Sequence, residues 1–184
     1  MQKKIYLIIA VVFISCATYL VKSDKLINYV DPFIGSGGHG HVFVGANVPF
    51  GGVQVGPTNF NKGWDWSSSY HHTDSIVKGF CHINVSGTGM SDLGELTIMP
   101  ATGKLMTGAG TQNNHMAGYS SLYYKEKEHA SVGYYKVHLE RYDIDVELTA
   151  TERVGLHKYR FPKSDQSRVI IDLGEGSADR PTET

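Results

Sequence analysis

An all-β antiparallel sandwich is the fold class this sequence predicts, on three observations. Tyr135, Val137 and Leu139 alternate with Lys136, His138 and Glu140; Ile144, Val146, Leu148 and Ala150 then alternate with Asp145, Glu147 and Thr149. A two-residue period gives each segment one apolar and one wet face, and the short connection at 141–143 makes the pair an antiparallel hairpin. Second, residues 26–124 hold short apolar runs between glycines with no sustained 3.6-residue period, the pattern of extended segments and long loops. Third, further strand-like runs follow the hairpin in close succession, the spacing of a sandwich.

Taken in order, residues 1–21 read as a targeting segment: Lys3 and Lys4 precede an apolar run from Ile5 to Ile14. That run suits a signal-peptide core and falls short of the ~20 residues a membrane span needs. Two processing readings stand side by side. Ser15 and Ala17 are spaced for ordinary signal peptidase, and Phe13-Ile14-Ser15-Cys16 has the shape of a bacterial lipobox, which would make Cys16 a lipid anchor. Either way the chain is expected to be exported, to the periplasm or the outer membrane. The domain proper is expected over 26–184, with strands at 42–44, 53–55, 76–85 and 95–100. After the hairpin a third strand is expected over 154–161. Its apolar positions shift from even (Val154, Leu156) to odd (Tyr159, Phe161), which predicts a bulge near His157. A fourth strand covers 168–173, with 162–167 as its loop. The polar stretch 174–184 supplies no closing element, so an open sheet edge and a domain incomplete at its C-terminus are expected.

Composition narrows the partners. The net charge of −1, with acids and bases interspersed, offers no electrostatic footprint for nucleic acid or an anionic membrane surface. The cysteine count of 2 gives no disulfide framework once Cys16 is removed or lipidated, and Cys81 reads as a buried small apolar residue.

Residues 63–71, Gly-Trp-Asp-Trp-Ser-Ser-Ser-Tyr-His, hold both tryptophans of the chain beside a carboxylate, three serines, a tyrosine and a histidine. A pyranose ring has one apolar face that stacks on an indole and a rim of hydroxyls that needs fixed donors and acceptors. The loop flanks, Asn59, Asn61, Lys62 and Gly63, favour a surface site over two core tryptophans. Other polar segments are Gly35-Ser36-Gly37-Gly38-His39-Gly40-His41, the pair His71-His72, and 82–95. The histidines raise a zinc reading, but no His-Glu-x-x-His occurs and the spacing is unspecific. The glycine run is not followed by Gly-Lys-Ser/Thr, so no phosphate loop is assigned.

Val-Asp-Pro-Phe-Ile-Gly (30–35), Gly-His-Gly-His (38–41), Val-Pro-Phe-Gly (48–51), Gly-Trp-Asp-Trp (63–66), Ser-Gly-Thr-Gly (86–89), Gly-Tyr-Tyr-Lys-Val (133–137) and Glu-Leu-Thr-Ala-Thr-Glu-Arg (147–153) stand in this order. Together they resemble the N-terminal domain of family 92 glycoside hydrolases, exported and mostly bacterial exo-acting α-mannosidases. The resemblance implies a galactose-mutarotase-like super-sandwich packed against a larger helical catalytic domain. It also implies calcium-dependent hydrolysis of α-mannosides with inversion. The catalytic carboxylates and calcium ligands then lie outside this chain, in the helical domain.

No catalytic role is therefore assigned to Asp65, Asp74, Asp92 or Glu95, and Asp31 reads as a turn residue. The implied contribution is recognition of mannose-containing glycans, N-glycans or mannan. Trp64 or Trp66 is the expected platform, with Asp65 and His71 bonding hydroxyls, and His39, His41, Ser86 and Gly87 in support. Ser67 to Ser69 departs from relatives that carry a Cys and a Gly there, which puts the local loop geometry in question. The alternative reading is a self-sufficient carbohydrate-binding module.

Overall fold

The computed structural model describes residues 25–84, 86–87 and 96–174. The targeting segment, Asp92, Glu95, and Thr88 and Gly89 of the 86–89 turn lie outside the described residues. The chain divides into two units: the described residues of the first, 25–30, hold a 3-10 turn at Leu26–Tyr29, and the sandwich belongs to the second, Asp31–Thr184.

Its strands are β1 (Ala46–Asn47), β2 (Gln54–Thr58), β3 (Ile76–Val77), β4 (Gly79–Cys81), β5 (Thr97–Ala101), β6 (Ser121–Leu122), β7 (Glu128–Ser131), β8 (Tyr134–Leu139), β9 (Ile144–Ala150), β10 (Gly155–Arg160) and β11 (Arg168–Asp172). One sheet runs β1-β2-β4-β5-β11, the second β10-β9-β8-β7, and β3 pairs with β6 alone. Every pairing is antiparallel. The hairpin forms as its pattern demands: Val137 faces Val146 across β8 and β9, and Tyr135, Val137, Leu139, Ile144, Val146 and Leu148 are all buried. They meet Val44, Ala46, Val55, Phe80 and Met99 in the core. Each Val, Leu, Ile, Phe or Met among them contributes roughly 1.5–3 kcal/mol on burial.

Several expectations are corrected. Residues 42–44 form no strand, and the first strand begins at Ala46. The run from Ile76 divides at Lys78, whose backbone N–H donates to the Thr58 carbonyl, and its two halves join different sheets. No bulge interrupts β10. Its register against β9 is one-to-one from Gly155 opposite Ala150 to Arg160 opposite Asp145. The apolar shift has another origin, because the inward positions are Gly155, His157 and Tyr159 whereas Leu156 points outward and is 60% exposed. The last strand is also not a neighbour of β10: β11 crosses to the other sheet and pairs with β5, Ile170 opposite Met99.

A polar contact is set into the core between the sheets. His82, just past β4, and His157 of β10 place their Nε2 atoms 2.7 Å apart, one imidazole donating to the other, and His157 Nδ1 meets the Tyr159 hydroxyl at 2.7 Å. Only glycine fits at 155, since a Cβ there would lie 2.9 Å from the His82 ring. Burial, and then the neighbouring His82, lower the His157 pKa to about 4. Cys81 is buried, accepts a hydrogen bond from the Thr58 hydroxyl at 2.9 Å, and has its pKa raised by desolvation, as suits a small core residue.

Candidate functional site

The tryptophan loop follows β2 directly. Asn61 Oδ1 accepts the Gly63 N–H at 2.7 Å, Gly63 takes φ 108°, and Trp64–Trp66 close one 3-10 turn. Ser69 sits at φ 72°, the left-handed conformation that glycine takes without cost. Ser69 remains tied in, because its carbonyl accepts the Asn59 N–H at 2.7 Å.

The turn sends its two indoles to opposite environments. Trp64 is 64% exposed and meets the His41 ring edge-on at a centroid distance of 4.9 Å. Trp66 is half-buried and stacks on His71 at 4.1 Å and 20°. Its Nε1–H donates to Asp74 Oδ2 at 2.9 Å, and Lys62 Nζ reaches the same oxygen at 2.8 Å. Asp74 Oδ1 accepts the N–H groups of Ser75 and Ile76. His71 is buried, with Nδ1 against the Thr73 hydroxyl at 2.8 Å and Nε2 against the Gly38 carbonyl at 3.3 Å. These contacts already occupy the polar atoms of Trp66 and His71, so both hold the loop's shape. Sequence reasoning could not separate the two indoles, because the deciding partners, Lys62 and Asp74, lie on either side of the motif.

The exposed side gathers the remaining candidates. His39 Nδ1 lies 2.6 Å from Asp65 Oδ1, and His41 Nε2 lies 3.7 Å from the same oxygen. His39 is 86% exposed at its side chain. His41 is buried, takes φ 54°, bonds Ser67 Oγ through Nδ1 at 2.6 Å, and leaves Nε2 without a hydrogen-bond partner among the described residues. The Gly-His-Gly-His segment can fold this tightly because Gly40 lies against the Gly35 carbonyl, where no Cβ fits. Ser86 Oγ accepts the Phe43 N–H at 3.1 Å, and the Gly87 N–H donates to the His41 carbonyl at 2.6 Å, so these two candidates brace the histidine loop. Asp31 caps its own turn by accepting the Phe33 N–H at 2.9 Å.

A buried polar floor, unseen in the sequence, lies under the loop. Glu128 accepts from Tyr135 at 2.7 Å and Tyr70 at 3.0 Å and pairs with Lys125 at 3.0 Å. Lys125 Nζ also donates to the Tyr70 and Tyr123 hydroxyls and stands over both rings at 4.6 Å. Burial lowers the Lys125 pKa, opposed by Glu128. The Lys125–Glu128 spacing of three is the one local signal for this network, while Tyr70 and Tyr135 join it only through the fold.

Among the described residues, no group of three or more His, Cys, Asp or Glu side chains is placed to hold a metal ion. The donors around Asp65 are imidazole nitrogens, whereas calcium takes six to eight oxygens. The described residues do not fit calcium.

Comparison with known proteins decides the assignment. Residues 29–184 match the model of the glycosyl hydrolase family 92 N-terminal domain. The chain belongs to this family. The family 92 α-mannosidase BT3965 from Bacteroides thetaiotaomicron, solved with mannoimidazole, is 36% identical with a TM-score of 0.82, over 85% of this chain and 21% of that one. The inverting mannosidase BT2199 from the same organism, 22% identical over 82% of this chain and 20% of its own, shares the fold with a TM-score of 0.65. An uncharacterized secreted glycosidase from Arthroderma benhamiae is 26% identical over 80% of this chain and 20% of its own length. The chain thus spans about a fifth of the length of these relatives. In family 92 this N-terminal domain pairs with a catalytic domain.

Proposed function

We propose that this domain forms the sugar-recognising wall of an exported, calcium-dependent, inverting α-mannosidase that acts on mannose-containing glycans. The observation that carries the reading is Trp64, an indole held in solvent beside Asp65, His39 and His41 by a loop whose other aromatic groups are already engaged. An exposed indole supplies the apolar area a pyranose face needs, and the Asp65 carboxylate supplies acceptors for its hydroxyls. His41, buried behind Trp64, directs its Nε2 toward Asp65 Oδ1 at 3.7 Å and backs the same wall. Trp66, Asp74 and His71 position the platform from behind.

Hydrolysis with inversion needs two carboxyl groups about 6.5–9.5 Å apart. Asp74 is spent on Trp66, Lys62 and two backbone N–H groups, and Asp65 faces two histidines through its Oδ1. The acid, the base and the calcium ligands are accordingly assigned to the catalytic domain, and the domain described here contributes binding alone. Export agrees with the apolar leader and with the secreted description of the Arthroderma relative.

The test is a crystal structure of the intact protein with mannoimidazole. The expected result places the sugar's C–H face in contact with Trp64 and a hydroxyl on Asp65. A sugar bound away from Trp64 would overturn the reading.

A further inference from the structure

Ser86 and Gly87 brace the histidine loop from a segment whose first residue, His82, is held from the other sheet: its Nε2 meets the Nε2 of His157 on β10 at 2.7 Å. The His82 carbonyl accepts the Gln54 N–H at 2.9 Å, and the buried Asn84 side chain donates to the Gln54 carbonyl at 2.9 Å. Both Gln54 bonds lie within the first sheet. Among the described residues, the imidazole pair is therefore the polar contact that ties this segment to the second sheet. Four residues beyond His82, Ser86 Oγ accepts the Phe43 N–H at 3.1 Å, and next to it the Gly87 N–H donates to the His41 carbonyl at 2.6 Å. His41 in turn meets Trp64 edge-on at 4.9 Å and bonds Ser67 Oγ at 2.6 Å. Four residues span at most ~14 Å of extended chain, so the path from the histidine pair to the sugar-recognising wall is short.

His157 is the fixed end of this path. Its strand pairs residue for residue with β9, its Nδ1 meets the Tyr159 hydroxyl at 2.7 Å, and Phe80 meets its ring edge-on at 6.4 Å. Gly155 leaves the space that the His82 ring enters, since a Cβ there would lie 2.9 Å from that ring. Burial holds both imidazoles below the ordinary histidine value, a penalty that two apolar side chains in the same space would not carry. What the pair adds is direction, because a hydrogen bond fixes the angle between the rings and so the placement of the chain behind His82. Tyr159 is the other titratable side chain in contact with the pair. The Cys81 thiol turns instead to Thr58 and Thr97, and among the described residues neither histidine has a carboxylate partner.

We propose that His82 and His157 are positioning residues for sugar recognition: the bond between their rings sets the segment from His82 to Gly87, which sets His41 and with it the Trp64 platform. The inference rests on the reading of Trp64 given above. A neutral pair holds one N–H between its two facing nitrogens. A first proton can enter at the outer Nδ1 of His82 and leave that bond in place. A second, on His157, puts an N–H on both facing nitrogens, breaks the bond and sets two cations against each other.

The experiment uses the intact protein and a neutral, non-hydrolysable thiomannoside, with affinity read by calorimetry. His157→Phe keeps the bulk and removes the bond, and is expected to weaken binding about tenfold, within the usual range for coupling between two sites. His157→Gln restores a polar partner for His82 and is expected to stay within about threefold of wild type. Wild-type affinity in His157→Phe would overturn the proposal, and so would equal losses in both variants, which would make packing the cause. From pH 6.5 to pH 4 the wild-type affinity is expected to fall about twofold more than that of His157→Gln, because half of His157 carries the second proton at its pKa of about 4. The same pH response in both proteins would overturn it. Should the variants fail to fold, hydrogen exchange of the wild type gives the answer, corrected for the intrinsic effect of pH. The Phe43 and Gly87 amides are expected to lose protection at pH 4 while those of β8 and β9 keep theirs, and unchanged protection of Phe43 and Gly87 counts against the proposal. The recognition reading fails separately, through full thiomannoside affinity in Trp64→Ala at pH 6.5.

Discussion

Trp64 and Trp66 are separated by one residue, yet they belong to different regions of the molecule. Around Trp66 every polar atom has found a protein partner: the indole N–H meets Asp74, His71 meets Thr73 and Gly38, and Lys62 closes the carboxylate. Around Trp64 the polar groups reach solvent, His39 86% exposed at its side chain beside an Asp65 carboxylate whose Oδ1 two histidines share. Burial explains the contrast. A group removed from water must be satisfied by the fold, whereas a group at the surface can keep donors and acceptors for a ligand. The same residue types thus serve architecture on one side of a 3-10 turn and recognition on the other.

The sharpest way to break the contrast is to remove the floor beneath the satisfied side. Glu128→Gln leaves Lys125 half-buried without its carboxylate and weakens the bonds from Tyr70 and Tyr135. We expect a loss of about 3 kcal/mol in urea unfolding of the intact protein, since breaking a buried pair strands the remaining charge. A loss below about 0.5 kcal/mol would mean that the network is ornamental.

A smaller effect is expected from acid, away from the loop. The His157 pKa is about 4 in the folded protein against ~6.5 for an ordinary histidine, so between these values the unfolded chain binds more protons. Stability from this group is therefore complete above about pH 6.5 and is lost as the pH falls through that window, by on the order of 2 kcal/mol after solvent screening. Unfolding measured from pH 7 to pH 4 checks this, with His157→Phe expected to flatten the slope. An unchanged slope would remove the His82–His157 contact from the account.

Much of the fold was legible because period-two alternation is local. Residues 135–150 announce both strands and the turn between them, and Asp143 takes its left-handed φ of 52° where the turn was expected. Strand 154–161 was legible as a strand but not in its facing, because its inward position is filled by His157, whose partner His82 lies 75 residues away. The crossing of β11 to the other sheet leaves no local mark either. In the site, the motif located the loop and its chemistry. Which indole faces water depends on Lys62, Asp74 and the Tyr70–Glu128 floor, contacts that exist only once the chain has folded.

The most direct measurement pairs Trp64→Ala with Trp66→Phe in the intact protein, reading mannoimidazole affinity and thermal unfolding together. We expect Trp64→Ala to keep stability within about 0.5 kcal/mol while weakening binding about thirtyfold, the loss of a roughly 2 kcal/mol contact. Trp66→Phe is expected to lose about 1–2 kcal/mol of stability through the stranded Asp74 and to weaken binding far less. Full mannoimidazole affinity in Trp64→Ala, with the loss falling on Trp66→Phe instead, would contradict the division of labour on which the account rests.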